Sequence, residues 1–385
     1  MRRISLIFLL AAVAAGIAAA PVRRGNRPPA QVLRPAAESG ALATRLDWAL
    51  GRGSGAGPGR FFWAGYSIER LMGENSRIGS FTSGGSGRDL TVAEILAGVK
   101  VKAEPSVSTE DVRGAARAAL EEIERQGKPE KKVLKELGFF LKYETGKPPV
   151  LTEVRMSNLD LALDFEGAPL CWLGKAPEED SLALIKVLFG RARDEKIREG
   201  LVAAAGCHGS PRLVVPFLET VLTGDGADDL RRDAAFWVGQ QNDPDGLRLL
   251  VRTARTDRSK EVREGAVFSI SQVELPAAVD ELIALARAAE LRDVRKQAVF
   301  WLGEMASEKS GPALEEFARK DGDLEIQEQA VFALSQLPDN QGVDVLIKLA
   351  KTHPDPRVRK KAVFWLGECD DPRVLDALIA IIKGK

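Results

Sequence analysis

The chain is predicted to be an all-α, right-handed solenoid of about seven helical hairpins behind a small mixed α/β N-terminal module. Three observations predict it. The segment DVRKQAVFWLGE (293–304) is rewritten as DLRRDAAFWVGQ (229–240), EVREGAVFSISQ (261–272), EIQEQAVFALSQ (325–336) and RVRKKAVFWLGE (357–368). Successive copies lie 32 residues apart, within the 20–50-residue periods that mark stacked repeats. Between them run stretches such as DGLRLLVRTA, AAVDELIALARAA, GVDVLIKLA and RVLDALIAII, each apolar on one helical face.

Each copy is justified as a helix by its own pattern. With the Trp, Ser or Ala of each copy at position zero, Val, Ile or Leu at −7, Ala at −3 and an aliphatic or small residue at +1 form one stripe. Acidic or basic residues open the copies, and Gly or Ser at +2 precedes a turn. Turns carrying NDPDG, PDNQG and HPDP separate the helices, with Pro and Gly as breakers. A single hairpin cannot bury its own apolar face, so neighbours must stack. Two weaker copies, KIREGLVAAAGC (196–207) and GAPLCWLGK (167–175), extend the array upstream, so the solenoid is expected to cover 165–385.

The V-R-x-x-A-x-x-x-L-G pattern, at Val294, Arg295, Ala298, Leu302 and Gly303 and again at Val358, Arg359, Ala362, Leu366 and Gly367, resembles the inner helix of HEAT repeats, in particular the short-repeat, phycobilisome-lyase-like branch of these armadillo-type folds. Gln327 replaces the usual Arg in one copy, and Trp172, Trp237, Trp301 and Trp365 occupy a position that family keeps small. Position zero alternates large and small through Trp172, Ala204, Trp237, Ser269, Trp301, Ala333 and Trp365. Close packing rewards such complementarity, so the tryptophans are read as packing residues and the structural unit as a pair of repeats.

Phe236, Phe268, Phe300, Phe332 and Phe364 occupy −1, almost opposite the buried stripe, among polar neighbours such as Lys296, Gln297, Glu328 and Glu304. The HEAT resemblance implies that this helix lines a concave surface. The rings would then form a ladder of roughly 40 Å at about 8–10 Å per helix, enough for a partner helix of about 25 residues. Two readings stand: an exposed binding stripe, or rings lying flat against adjacent helices.

From the N-terminus, Met1–Ala20 has Arg2 and Arg3 ahead of an apolar run ending in small residues, a secretory signal pattern. Cleavage is expected behind Ala18 or Ala19, with an uncleaved inner-membrane anchor as the alternative. Residues 21–59, rich in Pro, Gly and Arg, read as a flexible linker, with Glu38–Leu50 a possible helix within it. GRGSGAGPGR (51–60) lacks the strand and the Lys-Ser/Thr of a phosphate loop. Residues 60–164 form the predicted module. It is expected to hold a strand at Arg60–Leu71, another strand or a hairpin at Leu151–Leu170, and helices at Thr109–Gln126 and Pro129–Tyr143, and its expected role is to cap the solenoid.

Composition and spacing exclude several functions. Without Arg2 and Arg3 the 55 basic and 55 acidic residues become a slight acidic excess, which is no footprint for nucleic acid. Cys171, Cys207 and Cys369 fall on or beside repeated helices standing about 8–10 Å apart, beyond the ~7 Å Cα limit of a disulfide, and are expected as free thiols. His208 and His353 lie far apart in turns, and no His, Cys and carboxylate set is spaced for a metal. The His-Glu pairs required by the metal-dependent hydroxylases of the HEAT class are missing. The fold admits phycobilin lyase activity, but the export signal argues against it.

The reading is a non-enzymatic adaptor of the bacterial envelope, periplasmic or secreted, without cofactor or metal. It holds a peptide or protein along the Phe ladder. The alternative is an enzyme with its site in the N-terminal module around Trp63, Tyr66 and Glu69.

Overall fold

A computed structural model describes residues 27–36, 40–53, 61–74, 76–79, 89–99, 131–305 and 307–383. The expected signal segment, the Gly-rich stretch 54–60 and the expected helix 109–126 lie outside the described residues. The chain divides into two compact units, Met1–Gly209 and Ser210–Lys385.

In the first unit, five strands are ordered β1-β5-β2-β3-β4. They are β1 (Val32–Leu33), β2 (Phe61–Gly73), β3 (Lys132–Glu144), β4 (Val150–Asn158) and β5 (Leu170–Lys175). β2 pairs antiparallel with β3 and parallel with β5, so it is an interior strand, and Phe62–Ile68 are buried on both faces. Alternation sends Phe62 and Tyr66 to one face and Trp63 to the other. The Trp63 face carries Phe140, Phe165 and Trp172 in one cluster with Val92 and Ile95 of α2 (Val92–Leu96). Phe140 lies over two glycines: a Cβ on Gly65 or Gly138 would come within 2.9 Å or 2.6 Å of its ring. On the opposite face Phe62 stacks on Tyr143 and Tyr66 on Phe139. Helix α1 (Leu42–Gly53) sends the buried Arg45 to the carbonyls of Leu173 and Lys175 at 2.6 and 3.0 Å.

Three expectations are corrected here. Pro129–Tyr143, read as a helix, is largely strand β3, because its backbone pairs with β2 from Phe61↔Glu144 to Gly73↔Lys132. GAPLCWLGK is not a repeat helix: β5 is hydrogen-bonded between β1 and β2, so Trp172 packs in the sheet core and the helical region begins later than residue 165. The linker assigned to 21–59 contains an unexpected strand, β1, besides α1, which stands at the possible helix of 38–50. The expected strand at Arg60–Leu71 is present as β2.

A hairpin, α3 (Glu178–Arg191) and α4 (Glu195–Gly206), completes the first unit, with Gly200 of α4 close against Val154 of β4. The second unit is helical throughout its regular elements. Its hairpins are α5 (Pro211–Leu222) with α6 (Asp228–Gly239), α7 (Pro244–Thr256) with α8 (Lys260–Ser271), α9 (Ala277–Ala288) with α10 (Arg292–Met305), α11 (Ser310–Lys320) with α12 (Leu324–Gln336), and α13 (Val343–Thr352) with α14 (Pro356–Gly367). Helix α15 (Pro372–Ile382) follows. The repeated segments are the second helices, α6, α8, α10, α12 and α14. Val294, Ala298 and Leu302 are fully buried, as are their counterparts Val262, Ala266 and Ile270.

The second helices of successive hairpins pack extensively side by side, whereas the first helices scarcely touch one another. Unequal spacing bends a row toward its tighter side, so α6, α8, α10, α12 and α14 line the inside of this unit's curve.

Candidate interaction surface

On that inner row the five phenylalanines stand where the 32-residue period places them. Position −2 is buried as well as −7, −3 and +1: Val267, Val299 and Val331 are fully enclosed. A second helix has a neighbour on each flank and its own first helix behind it, so its buried sector is wider than one stripe. Position −1 therefore lies at the border of the core. Phe236, Phe268, Phe300 and Phe332 are half-buried, and Phe364 is 56% exposed.

The rings join into one row. Phe236 stacks on Phe268 at 6.4 Å between centroids, and Phe300 on Phe332 at 6.0 Å. Trp301 bridges the pairs, 4.9 Å from Phe268 and 5.0 Å from Phe300, and Trp365 does the same between Phe332 and Phe364. Trp237 lies edge-on to Phe236 at the start of the row. Each aromatic pair adds about 0.5–1.5 kcal/mol beyond its buried area. Phe268 and Phe332 each contact a Phe ring of the preceding second helix and an indole of the following one.

The alternation at position zero has a backbone counterpart. Gly239, two residues past Trp237, is pressed against Ser269: a Cβ there would lie 2.8 Å from the Ser269 carbonyl oxygen. Gly303, two past Trp301, faces Ala333 equally closely, at 2.9 Å from its Cβ. Thus α6 closes on α8 and α10 on α12 through glycine against a small residue. The intervening junctions, α8 with α10 and α12 with α14, are filled by indoles.

Position −6 runs a second ladder. Arg231 donates to Asp257 at 2.7 and 3.0 Å, and Arg295 donates to Asp321; each acid lies in the turn of the next hairpin. Arg263 has Ala289 at the corresponding place ahead. It turns instead to Asp293 at 2.7 Å and to the Asp257 carbonyl of its own hairpin at 2.9 Å. Gln327, where His353 stands ahead, donates to the Asp321 carbonyl at 2.6 Å. The Arg-to-Gln departure thus falls where no carboxylate is in reach.

Around the rings sit amides and mixed charges: Gln240, Gln272, Gln336 and Glu304 follow them at +3, all half-buried. Partial burial raises the Glu304 carboxyl above its ordinary pKa. No group of three or more His, Cys, Asp or Glu able to hold a metal occurs among the described residues. No described helix is long and apolar enough to cross a membrane.

The residues of the alternative site do not converge. Trp63 is fully buried and donates from Nε1 to the Phe165 carbonyl at 3.1 Å. Tyr66 lies on the other face of the sheet, its hydroxyl 2.9 Å from Ser181 Oγ. Glu69 pairs with Lys175 at the surface. Sequence reasoning missed the chain that continues from Tyr66. His208 Nε2 stands 2.8 Å from Ser181 Oγ, and its Nδ1 faces the Ala204 and Ala205 carbonyls at 2.9 and 3.1 Å. Those carbonyls only accept, so Nδ1 carries the hydrogen, Ser181 donates to Nε2 and Tyr66 donates to Ser181. All three residues are buried, and burial lowers the His208 pKa and raises that of Tyr66. The arrangement satisfies buried polar groups and offers a substrate no entry. Cys171 and Cys207 are free and buried, each thiol pushed up to about 11 by burial; Cys369 is free and half-buried.

The second unit is by its architecture an α-solenoid of stacked helical hairpins. Residues 215–303, 279–352 and 311–385 match the family described as HEAT repeats, and this part of the chain belongs to the HEAT-repeat family. Similar solved structures include human deoxyhypusine hydroxylase in complex with glycerol, at 20% identity over 53% of this chain and 84% of that one, with a TM-score of 0.24. Another is the complex of CpcE and CpcF of phycocyanin lyase from Nostoc sp. PCC7120, at 21% identity over 52% and 80%, TM-score 0.29. A third is the Escherichia coli protein YibA, at 20% over 54% and 77%, TM-score 0.32. No curated protein matches the chain.

Proposed function

We propose that this protein is a non-enzymatic scaffold of the bacterial cell envelope that holds a peptide or protein partner along its inner helix row. The observation that carries this reading is the continuous aromatic row, half-open toward the groove and flanked by amides and both signs of charge. Such a strip offers apolar area with hydrogen-bonding margins, the make-up of a recognition surface. The signal-like pattern of residues 1–20 supports a location in the periplasm or outside the cell, or on the inner membrane facing the periplasm if the segment is retained.

A photo-crosslinking residue at Gln336, beside the rings, is expected to give a discrete adduct in cells, and one at Lys348 on α13 is not. Phe300→Ser with Phe332→Ser should abolish the adduct. Because those rings also pack, Glu304→Lys with Gln272→Lys serves as a second variant that leaves the stack intact. Adducts equal at both positions, or insensitive to Glu304→Lys, would end the reading. Mass spectrometry of the mature N-terminus tests export and cleavage together.

A further inference from the structure

The aromatic row of the groove has a period of its own. From Phe236 the centroid steps are 6.4 Å to Phe268, 4.9 Å to Trp301 and 5.0 Å to Phe300. From Phe300 they run again as 6.0 Å to Phe332, 4.9 Å to Trp365 and 5.0 Å to Phe364. Each pair of hairpins thus offers three rings along a path of about 16 Å, the rise of three α-helical turns or eleven residues. In an extended chain the residues of one face recur only about every 6.7 Å, so two of them would have to serve three rings. A charged row keeps the same period. Four residues before each Phe, one turn away on the same face, stand Arg232, Glu264, Lys296 and Glu328. Their sign alternates from helix to helix and recurs with every second hairpin, as the rings do. Arg232 pairs with Asp229, Glu264 with Lys260 and Lys296 with Glu325, through side chains that are at least 32% exposed. Such pairs contribute little and exchange readily for a partner's charges.

We infer that the groove takes one amphipathic α-helix of a different chain, whose apolar stripe and charges recur every eleven residues. This rests on the scaffold reading above and names the partner of the same surface. The helix places apolar residues at i, i+4 and i+7 of each eleven, against Phe, Phe and Trp. The step of four residues rises about 6 Å, close to the Phe-to-Phe spacing, and the step of three about 4.5 Å, close to Phe-to-Trp. On one flank, four residues apart, the helix carries an acid for Arg232 or Lys296 and a base for Glu264 or Glu328. Opposite charges in that order fix its register, because a slip by one inner helix sets like charges together. Filling both repeats of the row takes about 22 residues. No described helix of this chain exceeds 14 residues, so the occupant is not a second copy.

The test uses the full chain and fluorescein-labelled synthetic helices of about 26 residues, lactam-bridged because isolated helices are marginal in water. The probe repeats its Leu stripe and a Glu–Lys pair every eleven residues; a control of equal composition repeats both every seven. Saturable binding of the probe is expected, at least about tenfold tighter than that of the control. Glu264→Lys with Glu328→Lys, at side chains outside the core, should weaken the probe at least about tenfold at unchanged melting temperature. A probe whose Lys residues are replaced by Glu should recover affinity for that variant alone. Absence of saturable binding, equal binding of the control, or a variant that keeps the original charge preference overturns the inference. So does self-association of the chain that the same variant disperses, which would make a second copy the occupant. In envelope extracts, an adduct at Gln336 that excess probe fails to displace ends the eleven-residue register and leaves the scaffold in place. Absence of the adduct ends both.

Discussion

Arg231 and Asp257, on successive hairpins, form a bidentate ion pair with only 3% and 8% of their side chains exposed. Removing Arg231 leaves the Asp257 carboxylate buried with only the Ser259 N–H, at 2.8 Å, to meet it, and breaking a buried pair in this way costs about 3–5 kcal/mol. Arg231→Ala is expected to fall in that range in urea denaturation of the chain, and Arg231→Ala with Asp257→Ala to cost less than the sum of the two. Gln327→Arg alone should not stabilise, because His353 stands where a carboxylate is needed. Combined with His353→Asp it should show favourable coupling in a double-mutant cycle.

Two glycines at equivalent positions should respond oppositely. Gly303→Ala drives a methyl into Ala333 and is expected to destabilise by about 1–3 kcal/mol. Gly367→Ala meets nothing and should be neutral or stabilising by about 0.5–1 kcal/mol through helix propensity. Thermal melts of the two variants decide it.

The buried His208 ties stability to pH. Burial, the largest cause, lowers its pKa from the ordinary 6.5, opposed by Glu178 and by the Ala204 and Ala205 carbonyls and reinforced by Arg70. The folded state therefore binds fewer protons than the unfolded state. Its contribution is present above about pH 6.5 and is lost as the pH falls below that value. Denaturation at pH 7.5 and 5.5 should show the drop, and His208→Gln should flatten it.

Thiol labelling should separate the cysteines. Cys369, half-buried, is expected to react in the native protein. Cys171 and Cys207, whose thiols are pushed up to about 11 by burial, should react only on unfolding.

Much of the second unit was legible because its pattern is local and repeated: each helix carries its own stripe, and the period fixes which residues meet. What failed was non-local. Val133, Leu134 and Leu137 have helical spacing among Lys and Glu, yet thirteen pairings with β2 decide the segment's fate, and single-segment periodicity cannot register a partner sixty residues away. The Trp-Leu-Gly of 172–174 matched the repeat in three residues, but the Ala-Pro before it lacks the buried stripe. The aromatic row was placed correctly along the chain, while its half-burial follows from flanking helices that a single-helix wheel leaves out. The Ser181–His208 contact joins residues 27 apart and left no spacing signal at all.

The alternation of indole and small residue along the inner row gives the array a true period of two hairpins. Excising 324–355 would bring Gly303 of α10 against Trp365 of α14, ring into backbone. Excising 292–355 would join α8 to α14 as α8 now meets α10. Lengthening or trimming this protein, by a genome or by an engineer, is therefore tolerated two hairpins at a time.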